Sequence, residues 1–177
     1  MGGPLDVTEA GPADAEAAGA FVRELWEAAG PDAPGLTGAT DEVIAEISRP
    51  EEIRLRLGGP ERRIFLARRG GRVIGFAATR RLDETTTELA GIMVHPRQRG
   101  GVGTPLLAAA VAAAADDGAR RMIVHTEAVN DGAIAFYLAR RFRPVQRSVD
   151  RVEGIDVEVL ELERDLSPPI TLAGADR

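Results

Sequence analysis

The sequence predicts an α/β (α+β) fold: a mixed, mostly antiparallel sheet of about seven strands flanked by about four helices, with a central βαβ unit. Three observations carry that prediction. Strand-length apolar runs flank Gly70-Gly71, and again Glu153-Gly154, and each pair has the chemistry of a hairpin turn. From Thr86 to Val129 a strand, a helix and a strand follow one another, and two strands joined by so long a crossover lie parallel. Near the N-terminus, apolar residues recur at three- and four-residue spacing, the mark of a helix with one buried face.

Taken in order, Leu5 to Val7 reads as a short strand. In "PADAEAAGAFVRELWEAAG", Ala18, Phe21, Val22, Leu25 and Trp26 form one helical stripe, and Gly30-Pro31 ends it. "PDAPGLTGA" is a loop. "TDEVIAEIS" is a second helix with Thr40 or Asp41 as N-cap and Pro50 as its break, and a third helical piece spans Glu51 to Leu57. "RIFLARRGGRVIGFAATRRL" is a hairpin, because both central glycines tolerate positive φ. "TTTELAGIMVHP" is a strand stopped by Pro96. "TPLLAAAVAAAADDGA" is a helix, with Thr104 as N-cap, Pro105 at the first helical position and Gly118 near the end. "RRMIVHTEAV" is a strand, "NDGAIAFYLARRF" a shorter helix, and "PVQRSVDRV" and "DVEVLELERDL" the closing hairpin. Residues 1–166 form a single domain, and 167–177 read as an unpacked, flexible tail.

Composition narrows the chemistry. The chain has 177 residues, 44% of them apolar, enough to bury a core without disulfides. It has no cysteine, which removes thiolate metal sites and cysteine nucleophiles, and no metal site is expected. Every basic side chain is arginine, so Schiff-base lysines and the P-loop lysine are absent too. A net charge of −6 argues against nucleic acid as a partner. No basic-then-apolar leader opens the chain, and "LLAAAVAAAA" falls far short of the ~20 residues of a membrane span, so no membrane association and a cytoplasmic location are expected.

"HPRQRGGVGTPLL", His95 to Leu107, lies between a strand and a helix N-terminus. Orphan backbone N–H groups and the helix dipole favour an anion there, and glycines let a phosphate approach the backbone. Arg97 and Arg99 add charge. A Walker A loop would need a lysine, and from Gly101 the last position of a dinucleotide fingerprint is Leu106 rather than glycine. Taken alone, the loop reads equally well as a phosphate cradle or as a plain βα turn.

Its surroundings resemble a known family. Gln98-Arg99-Gly100-Gly101-Val102-Gly103 is similar to the Q/R-x-x-G-x-G/A motif of the GCN5-related N-acetyltransferase (GNAT) family, and Asn130, Ala133, Phe136 and Tyr137 are similar to its later N-x-x-A-x-x-F-Y motif. The likeness runs from the first helix to the last hairpin. Two positions depart from the family pattern. The loop is one residue shorter between Pro96 and the glycines than in many members, and Arg141-Phe142 stands where a glycine often precedes the phenylalanine.

The resemblance implies acetyl-CoA (coenzyme A) as co-substrate. Its pyrophosphate would rest on the amides of Arg99, Gly100, Gly101, Val102, Gly103 and Thr104. Its pantetheine arm would pair with the strand end Ile92-Met93-Val94, and Asn130 would hydrogen-bond it. The reaction is direct attack of an amine on the thioester. It needs a base for the ammonium proton and an acid to assist the departing thiolate. Tyr137, the sole tyrosine, falls at the family's acid position. Glu88 and His125 both occupy strand positions where members place a base, with Glu127 on the face of His125 by alternation; water could relay protons with either. His95 reads as a surface residue.

The family holds its acceptor with the first two helices, their connecting loop and the last hairpin. Here "PDAPGLTGATDEVIAEISRPEE" carries six acidic residues against one arginine. That suggests a cationic amine, whether aminoglycoside-like, polyamine-like or a protein amine, and sets it against the simpler reading of a solvated helix face. Two other functions fit the same motifs: a catalytically silent acyl-CoA-binding module, and an acyltransferase with another acyl-CoA or acceptor. A homodimer is an expectation from the family alone.

Overall fold

The structure, a computed structural model, describes residues 3–30, 39–57, 59–98, 100–152 and 154–167. Seven strands form one sheet in the order β1-β2-β3-β4-β5-β7-β6. They are β1 (Leu5–Glu9), β2 (Arg62–Arg69), β3 (Arg72–Arg81), β4 (Thr86–Val94), β5 (Arg121–Glu127), β6 (Arg143–Val152) and β7 (Ile155–Asp165). Among the described residues only β4 and β5 pair in parallel; the helix between them, α4 (Gly103–Asp116), makes the expected crossover. The other helices are α1 (Ala15–Ala29), α2 (Asp41–Ile47), α3 (Pro50–Leu57) and α5 (Asp131–Leu138). The described residues thus hold five helices rather than about four, because Pro50 starts α3 at its first position instead of merely ending α2.

The hairpin turn at Gly70-Gly71 has φ of 59° and 79°, the left-handed pair that its sequence demands. Thr40 caps α2 as expected, its Oγ1 accepting from the Val43 amide at 3.2 Å. Thr104 does not cap α4. Val102 holds the N-cap position, Pro105 falls inside the first turn where its missing N–H is not needed, and the Thr104 hydroxyl accepts from Arg140 instead. The C-terminal segment from 168 on, and with it most of the predicted tail, lies outside the described residues.

Two cores occupy the two faces of the sheet. On one, α4 and α5 cover Leu89, Met122, Val124, Leu160 and Leu162. On the other, α1 and α3 pack Phe21, Leu25 and Ile53 against Leu66 and Val73. The α1–α3 roof is close-fitting. A Cβ at Gly19 would drive into the Ser48 carbonyl, so only glycine lets the chain after α2 pass this near α1. Arg23 donates to that same carbonyl at 3.2 Å, and Trp26 Nε1 donates to Asp41 Oδ1 at 2.6 Å.

The departure at Arg141 proves to be a helix-end feature. Arg141 has φ of 68°, and it is the one non-glycine with positive φ among the described residues. The Phe142 amide donates back to the Tyr137 carbonyl at 3.2 Å and the Arg141 amide to the Leu138 carbonyl at 3.3 Å, the bond pair of a Schellman cap with Arg141 at C′. The accompanying apolar contact joins Phe142 to Tyr137, ring centroids 5.4 Å apart. An L side chain in this region costs about 1–2 kcal/mol. Arg141 also pushes the guanidinium pKa of nearby Arg164 down, in addition to the larger effect of burial. Arg141→Gly is therefore expected to stabilise the fold by about 1 kcal/mol, a rise in Tm of roughly 2–4 °C in a thermal melt.

Candidate active site

The site begins with a bulge. Along β3 and β4 the register passes from Ala78↔Gly91 to Thr79↔Leu89, leaving Ala90 as an extra residue on β4. A bulge bends its strand. The parallel β4–β5 ladder ends at this point, at Leu89↔Val124. Beyond it, Ile92, Met93 and Val94 stay paired to β3 while their other edge has no strand partner, and His125 to Glu127 stay paired to β7 alone. The sheet opens into a cleft between two strands with free backbone donors and acceptors.

At the mouth of that cleft lies the glycine loop. Gly100 and Gly101 have φ of 123° and 78°, in the positive region that L residues rarely adopt. Gly101 has positive φ and precedes Val102 at φ −83°, ψ −41°, and such a change of hand is the backbone pattern from which anion nests are built. The Val102 side chain is fully buried and anchors the loop to the core. Arg99 lies outside the described residues. Gln98 turns back, its Oε1 accepting from Arg69 at 2.9 Å, and half-buried His95 accepts the Arg97 amide on Nδ1 at 3.2 Å.

One side chain missed in the sequence, Arg140, completes this end. Gly103 allows a close approach, since a Cβ there would stand 3.1 Å from the Phe136 ring and the ring would have to give by a few tenths of an ångström. Arg140 lays its guanidinium 3.8 Å from the Phe136 ring centroid and donates to the Thr104 hydroxyl at 2.6 Å and to the Phe136 carbonyl at 2.8 Å. A fixed cation thus sits at the N-terminus of α4. Arg140 is i+4 from Phe136 on the second motif's helix, a spacing that could have flagged it. Asn130 caps α5: its Oδ1 accepts from the Ala133 amide at 3.1 Å, so only its NH2 remains free to donate.

On the opposite face, the two candidate bases meet. Glu88 Oε1 lies 3.2 Å from His125 Nδ1, and His125 Nε2 lies 3.2 Å from Glu161 Oε2. Arg80 holds the other Glu88 oxygen, with Nε at 2.9 Å and the terminal nitrogen at 2.7 Å. The row Arg80–Glu88–His125–Glu161 crosses four strands. A neutral imidazole donates through one nitrogen only, so in that state the ring bonds one carboxylate as donor at a time. Arg80 and Glu161 were not singled out in the sequence, although each is fixed by register, Arg80 opposite Glu88 and Glu161 opposite His125. Glu127 makes no hydrogen bond in this row.

Glu88 also lines a cleft of about 510 Å³ between the α1–α3 roof and the sheet. Asp41, Glu42 and Glu46 do not line it; they are exposed on α2, which favours the solvated-face reading of that acidic run. The connecting loop, residues 31–38, lies outside the described residues.

Tyr137 is buried in the α4–α5 core, edge-on to Phe136 with centroids 5.4 Å apart and tilted against Phe142. Burial pushes its phenol pKa well above the usual range. No described residue hydrogen-bonds its hydroxyl, and no described side-chain polar atom is both sealed and unpartnered, so the hydroxyl retains access to its surroundings.

Comparison with known proteins agrees with this architecture. No curated protein matches the chain. Among solved structures, the PaiA N-acetyltransferase of Thermoplasma acidophilum, in complex with coenzyme A, superposes with a TM-score of 0.68 at 17% identity, over 92% of this chain and 99% of that one. An aminoglycoside 6′-acetyltransferase of type Ii gives 0.71 at 18% identity, over 92% and 98%. The ribosomal-protein-S18-alanine N-acetyltransferase of Escherichia coli gives 0.68 at 18% identity, over 98% and 99%. These likenesses concern the fold. The family model described as the acetyltransferase (GNAT) family matches residues 22–142, a span that contains both motifs, the bulged strand and the opened sheet, and the chain belongs to that family.

Proposed function

We propose that the protein is an acetyl-CoA-dependent N-acetyltransferase that modifies a primary amine by direct attack in a ternary complex. The observation that carries this reading is the convergence of three features on one opening: the free strand edges at Ile92–Val94, the positive-φ glycine loop at the start of α4, and the Glu88–His125 pair. The residues fit the co-substrate. The amides of residues 99–104 and the Arg140 guanidinium would hold its pyrophosphate. The Ile92–Val94 edge and the Asn130 NH2 would hold the pantetheine amides. Acetyl-CoA, when bound, supplies the thioester carbon that the amine attacks.

The remaining steps belong to the chain. An amine enters from the cleft under α1–α3, where Glu88 Oε1 receives its ammonium proton directly or through water. His125, hydrogen-bonded to that oxygen, and Glu161 beyond it pass the proton toward solvent. Sequence reasoning set Glu88 and His125 as alternatives; their contact supports one relay in which both act. Arg80 is a positioning residue, since it holds Oε2 and leaves Oε1 facing the ring. Tyr137, kept protonated by burial, donates a hydrogen bond to the departing sulfur, which takes up the proton released from the attacking nitrogen.

The test is acetyl-CoA-dependent release of free thiol against a panel of primary amines, with acetyl-CoA affinity measured separately by calorimetry. Binding without thiol release on any amine would favour the silent module, and a preference for longer acyl chains would favour the other acyltransferase reading. Arg140→Ala is expected to raise the acetyl-CoA Kd about 10-fold, most strongly at low salt, through loss of a cation at the helix N-terminus. A Kd unchanged at low salt would remove Arg140 from the phosphate site.

A further inference from the structure

The charge in the acceptor cleft is unevenly placed. Its walls are mostly apolar, with Phe21, Leu25, Trp26, Ile44, Phe76 and Met93 among them, and its ionisable lining consists of three arginines and one glutamate. Arg80 is neutralised by Glu88. Arg56, from α3, and Arg62, from β2, pair with no carboxylate among the described residues. Arg56 donates only to the Ile47 carbonyl, at 3.4 Å.

Arg62 stands directly opposite Arg80 in the β2–β3 register. Like charges facing each other across two strands are destabilising; Glu88 neutralises Arg80, whereas Arg62 has no carboxylate partner among the described residues. Along the sheet the sequence of groups is Arg62, Arg80 and Glu88 on the cleft floor, then His125 and Glu161 beyond it. The row is positive at its β2 end and negative at its β7 end. The proton-accepting groups stand beside the β4–β5 opening, so an amine bound for reaction lies at the negative end. The other end presents two unpaired guanidiniums beneath an apolar roof.

We infer that the acceptor is a primary amine joined through an apolar chain or ring to a carboxylate, with the carboxylate held by Arg62 and Arg56. The inference rests on the acetyltransferase reading and deepens it. Neighbouring strands lie about 4.8 Å apart, so Arg62 and Glu88 are separated by roughly 10 Å along the floor. That separation suits an amine and a carboxylate at opposite ends of a molecule better than the two groups on one carbon. A polycation would place a charge against the two arginines.

Matched pairs decide the matter: 4-(aminomethyl)benzoate against benzylamine, and 6-aminohexanoate against 1-aminopentane. In each pair the members share the amine and the apolar body and differ by the carboxylate. The expected result is a preference of about 10-fold or more in kcat/KM for the carboxylate member, the worth of a charge-assisted contact in a partly enclosed site. In the Arg56→Gln/Arg62→Gln double variant the preference should fall to within about 3-fold. A ratio within one enzyme cancels any general loss of activity. Equal or better use of the plain amines, or a preference that survives in the double variant, overturns the inference. Where none of the four compounds turns over, the same ratio is read as Kd by calorimetry in the presence of coenzyme A, and equal or absent binding overturns it as well. Calorimetric binding of acetyl-CoA alone reports on the underlying reading, so failure of one is told apart from failure of the other.

Discussion

Glu88→Gln is expected to lower kcat/KM for the amine by about 10³-fold while leaving acetyl-CoA affinity and Tm nearly unchanged. Glutamine keeps the shape and can still accept from Arg80 and meet the His125 ring, but it takes up no proton at neutral pH. His125→Ala alone is expected to cost about 10–100-fold, because water can replace the ring as the next carrier but not as a fixed one. The decisive measurement is the double variant. If Glu88 and His125 act in series, losing the first carrier makes the second irrelevant, and the double variant is no slower than Glu88→Gln. Multiplying losses would mean two independent roles and would sink the relay. A purely structural role for Glu88 predicts the reverse signature: a lower Tm with little change in rate.

The fold was legible because its signals are local. Gly70-Gly71 announces a turn through its own φ requirement, and Thr40 caps α2 with a hydroxyl three residues from its partner. The site was legible only in pieces. Glu88 and His125 could each be placed on a strand, but their contact depends on the parallel register across the α4 crossover, which no short window encodes. The Ala90 bulge that opens the sheet leaves no mark in the alternation of a strand buried on both faces. The close approach of Phe136 to Gly103 comes from another helix, which no short window shows. Gly75 is similar. A Cβ there would come within 2.9 Å of the Met93 carbonyl and crowd Leu106, so its role appears only once β3, β4 and α4 are assembled. Arg80, Glu161 and Arg140 passed as surface charges because a charged residue on a strand or helix reads as solvated until its partners are known. The acidic run within α2 stayed ambiguous for the same reason, since a count of charges does not say which way they face.

Tyr137→Phe is expected to reduce kcat about 10²-fold with the acetyl-CoA Kd held within about 2-fold. The substitution removes one oxygen and leaves the ring packing against Phe136 and Phe142 intact. A silent binding module would show the same affinity and have no turnover to lose, so the variant separates the two functions. The chain also offers an independent reading of the same hydroxyl. It has one tyrosine, no lysine and no cysteine, so between about pH 9 and 12 Tyr137 is the one side chain expected to titrate. Its folded pKa is raised by burial, whereas the unfolded chain ionises near ~10. The stability that this difference contributes is fully present below ~10 and is lost as pH rises toward the folded value, because the unfolded state then binds fewer protons. Denaturant melts should show wild-type stability falling by up to about 1.4 kcal/mol per pH unit above ~10, and Tyr137→Phe should be flat over the same range. A wild-type profile as flat as that of the variant would mean that the phenol is solvated rather than buried. It would then ionise in the ordinary range, and turnover would fail on the alkaline side near ~10 instead of persisting beyond it. The melts and the alkaline limb of kcat therefore have to agree, since both read whether this hydroxyl keeps its proton.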